Sequence, residues 1–232
     1  MEIVLIVAVI TAIVSYLIGS VNFSILISKA ISGKDIRESG SGNAGATNML
    51  RTHGKKFAII TLLCDIAKGV LAVLLAILCR EYIVPNSGWN PEISWGGVIS
   101  VLLLTALPYI AGLFVMLGHC FPVFFGFKGG KGVATALGVV MTLDWKIGII
   151  VLVIALAIMA ITRYVSLGSV VAAALFVILT IAKQFFVMLF ANPYIIVCST
   201  LMGLLVILRH HANIGRLIHG TENKLSFSKK EK

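Results

Sequence analysis

The sequence contains little charge and no closely paired cysteines. Only 12% of its 232 residues are charged, while 59% are hydrophobic and the mean hydropathy is +1.05. A soluble domain of this size cannot bury so much apolar surface, which excludes the soluble classes. The apolar runs are continuous and not alternating, which excludes a β-barrel. No CxxC spacing occurs, so neither a disulfide framework nor a zinc site is expected at Cys64, Cys79, Cys120 and Cys198.

Long apolar segments predict an all-α, polytopic integral membrane protein with about seven transmembrane helices. A single membrane-embedded domain over residues 1–232 is expected. Most segments approach the ~20 residues that cross a bilayer. The first begins at the acidic Glu2 without a clear cleavage site, and is expected to be a retained span. The fourth is short and needs shielding by its neighbours. The segments cover about residues 2–22, 57–79, 95–118, 132–143, 147–162, 165–182 and 192–209.

Lysine and arginine are distributed unevenly between the two sides of this predicted membrane protein. If the N-terminus is outside, 15 of the 19 fall on the inner side and 3 on the outer side, with Lys68 inside a span. The positive-inside rule therefore predicts an N-terminus outside and a C-terminus in the cytoplasm. This placement accounts for the net charge of +10, and without a nucleic-acid motif no nucleic-acid partner is expected.

A glycine-rich loop after the first span ends on an arginine. Glycine amides are expected to form a concave anion-binding nest, and the hydroxyl and amide side chains add donors. Arg51 supplies a planar fork suited to phosphate. A short helix is expected from Ala46, with its N-terminus toward the anion. The alternative is a connector whose glycines only make turns. The candidate residues here are Gly40, Ser41, Gly42, Asn43, Thr47, Asn48 and Arg51.

A second basic segment combines Gly118-His119-Cys120-Phe121-Pro122 with Phe127-Lys128-Gly129-Gly130-Lys131-Gly132-Val133-Ala134-Thr135. Its GGKG sequence before a predicted helix is typical of a phosphate loop with a lysine point charge. The Walker A pattern GxxxxGK[ST] is not satisfied, so nucleotide binding is not indicated. The alternative is a basic topology anchor. His119 alone is more typical of a structural cap or an interfacial residue than of a catalyst.

The last polar segment follows the seventh apolar run. His210 and Asn213 share a helix face if that helix continues, and Glu222 lies further along. A metal site is not expected, because HExxH is absent and the adjacent His210 and His211 point apart on a helix.

Ser166 and Ser169 lie at an inner corner between two spans. Their hydroxyls are expected at the same membrane depth as the three polar segments.

These three segments together resemble the bacterial acyl-phosphate:glycerol-3-phosphate acyltransferases, the PlsY family. Gly40 to Arg51 is similar to GSGNxGxTNxxR, Gly118 to Thr135 to GHxFPxxxxFKGGKGVAT, and His210 to Glu222 to HxxNIxRLxxGTE. Asn22 departs from the family pattern, which has a proline soon after Gly19-Ser20. The resemblance implies a monomer-capable enzyme of the bacterial inner membrane that acts in phospholipid biosynthesis. Its implied substrates are acyl phosphate and glycerol 3-phosphate, with the active site facing the cytoplasm.

The residues fit such a transfer. An acyl phosphate is already activated, so neither a cofactor nor a covalent nucleophile is required. No HxxxxD dyad occurs, because no aspartate lies five residues after a histidine. Catalysis is then expected to rest on positioning and charge stabilisation. Ser41, Arg51, Lys131, His210 and Asn213 are the candidate catalytic residues. The candidate substrate-binding residues are Gly40, Gly42, Asn43, Thr47, Asn48, His119, Gly129, Gly130, Ser166, Ser169 and Glu222.

A membrane transporter of phosphate or a phosphorylated metabolite is the competing hypothesis. It would also require a basic, glycine-rich site. Transporters usually place that site near the midplane and contain internal repeats, whereas these motifs cluster at one interface and no repeat is evident.

Overall fold

A computed structural model describes residues 2–83, 95–186 and 191–224 as an all-helical protein. Each predicted apolar segment forms a helix, and shorter helices lie between them. Lys229, Lys230 and Lys232, counted in the predicted inner charge, lie outside the described residues. The α-helices are α1 Glu2–Ser20, α2 Phe23–Ser32, α3 Ala46–Thr52, α4 Lys55–Leu78, α5 Trp95–Cys120, α6 Val133–Leu143, α7 Trp145–Thr162, α8 Val165–Phe186, α9 Pro193–Arg209 and α10 His211–Ile218.

Several of these helices are long and apolar enough to cross a membrane. Within the described residues, five such stretches begin at Glu2, Lys55, Gly96, Trp145 and Val165. A sixth results if α9 and α10, which are bent by 57° at their junction, count as one span. The predicted fourth segment is α6, an apolar helix of 11 residues. The prediction of an all-helical, multi-pass membrane protein is confirmed.

Glycines let two helix pairs approach backbone to backbone. A side chain at Gly19 of α1 would collide with the backbone of α5 at Val115, and one at Gly118 of α5 would collide with α1 at Tyr16. Gly69 of α4 and Gly138 of α6 make the same close contact between their helices. Small residues at crossing points are typical of helix packing in membranes. These contacts fix α1 against α5, and α4 against α6.

The main apolar core lies among α4 to α9. It includes Val73, Met116, Val139, Phe176 and Met202, all of them buried. Large apolar side chains are instead exposed on the outer faces of the spans, as in α1 and α4. Such faces suit lipid contact. The polar loops gather at the end of the bundle where α6 and α8 begin and α5 and α9 end.

Candidate active site

The three polar segments and the first turns of α8 line one cavity of about 1370 Å³. Sequence reasoning selected sixteen site residues, and fourteen of them line this cavity. The two that do not are Gly40 and Gly130. The fourteen are Ser41, Gly42, Asn43, Thr47, Asn48, Arg51, His119, Gly129, Lys131, Ser166, Ser169, His210, Asn213 and Glu222.

The loop before α3 is organised by the buried side chain of Asn48. Its amide nitrogen donates to the carbonyls of Ile36 at 3.1 Å and Ser39 at 2.9 Å, and its oxygen accepts from the Ser41 N–H at 2.8 Å. Gly40 has a φ of 61°, and a side chain there would collide with Asn48. Asn48 therefore shapes the loop, and its amide group is engaged by backbone partners.

The expectation that the glycine amides of this loop form an open nest is wrong in part. The Gly42 N–H donates to Ser39 and the Gly45 N–H to Asn43, each at 3.1 Å. These bonds stabilise the turns, since buried backbone groups need partners. The side chains of Ser41, Asn43, Thr47 and Arg51 line the cavity, and α3 begins at Ala46 as predicted.

The backbone of the Gly129–Gly130 turn is likewise occupied. The Gly129 N–H donates to the Cys120 carbonyl and the Gly130 N–H to the His119 carbonyl, each at 3.1 Å. The carbonyls of both glycines accept from Arg209, at 3.3 and 3.2 Å. The phosphate-loop expectation for these two amides is therefore wrong. The turn instead fixes the start of the Lys131 side chain, whose ammonium donates to Asn213 Oδ1.

Glu222 is the centre of a polar network that reaches Lys131. Its Oε1 accepts from Asn213 Nδ2 at 2.6 Å and from Ser166 Oγ at 2.8 Å, while Oε2 accepts from Arg216 Nε at 2.6 Å. Burial would raise the pKa of the Glu222 carboxyl, but these donors outweigh burial and hold the pKa below its usual value. Glu222 is thus committed to protein partners, and it orients Asn213 toward Lys131.

His210 lies at the bend between α9 and α10, so the continuous helix assumed from the sequence is not present. His210 and Asn213 are nevertheless both buried and both line the cavity. His210 Nδ1 lies 2.8 Å from the Val206 carbonyl. Since a carbonyl only accepts, Nδ1 carries the proton and Nε2 of the neutral ring is left as an acceptor.

The polar end of the cavity is dominated by cations. Lys131 is partly buried beside Arg51, Arg209 and Arg216, and burial, opposed by Glu222, lowers the pKa of its ammonium to about 8. Clustered cations around a polar cleft favour anionic ligands.

The other end of the cavity is apolar. Its walls come from α6 to α9 and consist largely of small or aliphatic side chains. They include Leu137, Val140, Val151, Leu152, Ala155, Met159, Ala172, Ala173, Phe176 and Met202.

Comparison with known proteins identifies the family to which this chain belongs. The model of the glycerol-3-phosphate acyltransferase family matches residues 9–220. A glycerol-3-phosphate acyltransferase of Thermoanaerobacter sp. (strain X514) is 40% identical over 94% of this chain and 96% of its own length. One from Shouchella clausii (strain KSM-K16) is 44% identical over 93% of this chain and 94% of its own length. The chain belongs to the glycerol-3-phosphate acyltransferase family.

Solved structures agree with this assignment. The glycerol 3-phosphate form of PlsY (YgiH), an integral membrane glycerol 3-phosphate acyltransferase, has a TM-score of 0.74 and 35% identity, covering 94% of this chain and 96% of that one. Its lysophosphatidic acid form has a TM-score of 0.71 and 33% identity. The prediction of an acyltransferase of phospholipid biosynthesis is confirmed, and the transporter hypothesis is not supported.

Sequence reasoning missed residues that assemble the site of this acyltransferase. Arg37 joins two of the motifs, since Nη1 donates to the carbonyls of Phe125 and Lys128, each at 2.8 Å, while Asp35 holds the rest of its guanidinium. Arg209 holds the Gly129–Gly130 turn. Neither contact has a spacing signal in the sequence, because each joins residues about 80 to 90 positions apart.

Proposed function

We propose that this acyltransferase transfers a fatty acyl group from acyl phosphate to the sn-1 hydroxyl of glycerol 3-phosphate, giving lysophosphatidic acid and inorganic phosphate. The observation that carries the proposal is a single cavity that joins a cation-rich end to an apolar end. Both substrates carry phosphate, and only the donor carries a hydrocarbon chain. The cavity offers each of these groups a matching environment.

The proposed roles follow the positions of the side chains. Ser41, Asn43 and Thr47 bind the head of the acyl phosphate, and its chain lies between α6 and α9. Arg51 and Lys131 stabilise the negative charge of the departing phosphate. His210, Asn213 and Ser166 or Ser169 hold glycerol 3-phosphate. Gly40, Asn48, Gly130 and Glu222, predicted to bind substrate, act instead by holding the loops and Asn213 in place.

The chemical step requires no cofactor. The acceptor hydroxyl oxygen attacks the acyl carbon, and the bond from that carbon to the phosphate oxygen breaks. The hydroxyl proton passes to Nε2 of His210 or to a substrate phosphate oxygen, and inorganic phosphate leaves with its bonding electrons. Because the mixed anhydride is activated, positioning and charge stabilisation supply the acceleration.

We also propose that the chain crosses a bacterial inner membrane seven times, with the N-terminus outside and the site facing the cytoplasm. The distribution of lysine and arginine supports this orientation. The short helix α6 is the fourth of these seven proposed crossings, and its contacts with α4 and α7 shield it from lipid. We also propose that one chain suffices for activity, since residues of all three motifs line one cavity within a single chain.

The test combines purified protein in detergent with acyl phosphate and glycerol 3-phosphate. Lysophosphatidic acid and phosphate are expected in equal amounts by mass spectrometry and phosphate assay. An acyl thioester should give no product in place of acyl phosphate. Phosphate uptake into liposomes without any lysophosphatidic acid would overturn the proposal and favour the transporter.

A further inference from the structure

A buried charged cluster lies directly beneath the polar end of the cavity, and the proposed transfer gives it no role. Asp65 and Lys68 of α4 and His119 of α5 are exposed by only 1%, 4% and 3%. Ionisable groups inside a membrane protein are costly, and they are usually paired or functional.

Lys68 is accounted for by structure alone. Its ammonium lies 3.0 Å from Asp65 Oδ1, and it donates to the carbonyls of Gly19 at 3.0 Å and Val21 at 2.8 Å. The ammonium thus makes an ion pair with Asp65 and donates two hydrogen bonds to backbone carbonyls. Lys68 therefore fastens α4 to the end of α1.

Asp65 and His119 differ from Lys68 because both line the cavity. His119 Nδ1 lies 3.5 Å from Asp65 Oδ1, and it has no hydrogen-bond partner within the part of the chain that the structure describes. Hydrogen bonds of catalytic sites are often long in the free enzyme and shorten in the substrate complex. The imidazole is thus poised to donate to the Asp65 carboxylate.

The other side of the His119 ring contacts the turn that carries Lys131. The His119 carbonyl accepts the Gly130 N–H, and a side chain at Gly130 would collide with Nε2 of the ring and with the Ala44 carbonyl. The ring therefore fills the space between the Asp65 carboxylate and the Gly130 backbone. A change in its orientation removes this contact with Gly130, the residue before Lys131.

We propose that Asp65 and His119 are positioning residues of the transfer, in which the Asp65 carboxylate fixes the His119 ring and the ring holds the Gly130 turn that aims Lys131 at substrate phosphate. Oriented imidazoles in enzymes are commonly held by such a carboxylate. This inference rests on the proposed function, since it concerns Lys131, the cation proposed to bind substrate phosphate.

The experiment is a double-mutant cycle on purified protein, with kcat/KM measured with acyl phosphate and glycerol 3-phosphate. We expect His119→Ala and Asp65→Asn each to lower kcat/KM by about tenfold or more. Because Asp65 acts through His119, the double variant should be no worse than His119→Ala. If the loss of kcat/KM in the double variant equals the product of the two single losses, the two residues act independently and the proposal is wrong.

Two further variants separate positioning from stability. His119→Asn keeps a donor near the place of Nδ1, so it should recover part of the activity lost in His119→Ala, and only when Asp65 is intact. Lys68→Met is the matched control, because it removes the other partner of Asp65. It should lower Tm while changing kcat/KM by less than about threefold. If His119→Ala does not fold, the activities of Asp65→Asn and His119→Asn alone decide whether this pair positions the Gly130 turn or only stabilises the fold.

The outcomes also separate this proposal from the proposed function. Wild-type protein that forms no lysophosphatidic acid would refute the function itself. Active wild-type protein with fully active Asp65→Asn and His119→Asn variants would refute only the positioning pair.

Discussion

The two ends of the cavity are built in different ways. The polar end is made of loops from distant parts of the chain, held by side chains that bond to backbone groups, as Asn48, Arg37 and Arg209 do. The apolar end is lined by side chains of helices α6 to α9, which are largely small or aliphatic. Its dimensions follow from where small residues allow the helices to meet. At the polar end, we therefore expect the positions of individual hydrogen-bonding atoms to determine activity. At the apolar end, we expect the volume of the cavity to do so.

The largest expected effect is at the polar end. Arg51→Ala or Lys131→Ala should reduce kcat/KM by more than about a hundredfold, since each removes a charge that stabilises the leaving phosphate. Lys34→Ala, at an exposed residue of the same side, is the control and should stay near wild type. If either alanine variant keeps more than about a tenth of the wild-type kcat/KM, the role assigned to that residue is wrong.

A smaller loss is expected from Glu222→Gln. The new amide presents donors to Asn213, Ser166 and Arg216, which already donate to this position. Leaving such groups unpaired costs on the order of 1–3 kcal/mol, so kcat/KM should fall about tenfold and Tm should fall as well. The exposed Glu38→Gln serves as the control. An unchanged Tm and rate would show that the network does not hold Asn213.

A larger side chain at the apolar end should weaken the binding of the acyl donor, acyl phosphate, and should leave the binding of glycerol 3-phosphate unchanged. Val151→Phe fills the cavity, so it should raise the KM for acyl phosphate by about tenfold and leave the KM for glycerol 3-phosphate unchanged. Val153→Phe, on the outer face of the same helix, should alter neither value. Equal increases in both KM values would contradict the division of the cavity.

The smallest effect near neutral pH is that of Lys131 protonation. Burial lowers the pKa of Lys131 to about 8, so kcat/KM should fall as the pH rises through that value and the ammonium loses its proton. Lys131→Arg should move this decline to higher pH, because arginine stays protonated. A decline that persists unchanged in the arginine variant would have another origin.

Much of the fold and of the site could be predicted from the sequence. Continuous apolar runs mark helices, and the glycine and hydroxyl motifs mark the residues that face the cavity. The errors lie where a backbone N–H is already bonded within the protein, at Gly42 to a residue of the same turn and at Gly130 to the end of α5. The contact of Asp65 with His119 joins residues 54 positions apart in the chain, so no local spacing could reveal this histidine–carboxylate pair.

Helix α7 has one face in the cavity and the other on the outside of the bundle. Val151 and Ala155 are 9% and 6% exposed, whereas Val153 is 57% exposed. A single layer of helix thus separates the apolar end of the cavity, where we propose that the hydrocarbon chain binds, from the outside of the bundle. A change of bilayer thickness that tilts α7 would therefore be expected to alter the width of this apolar end.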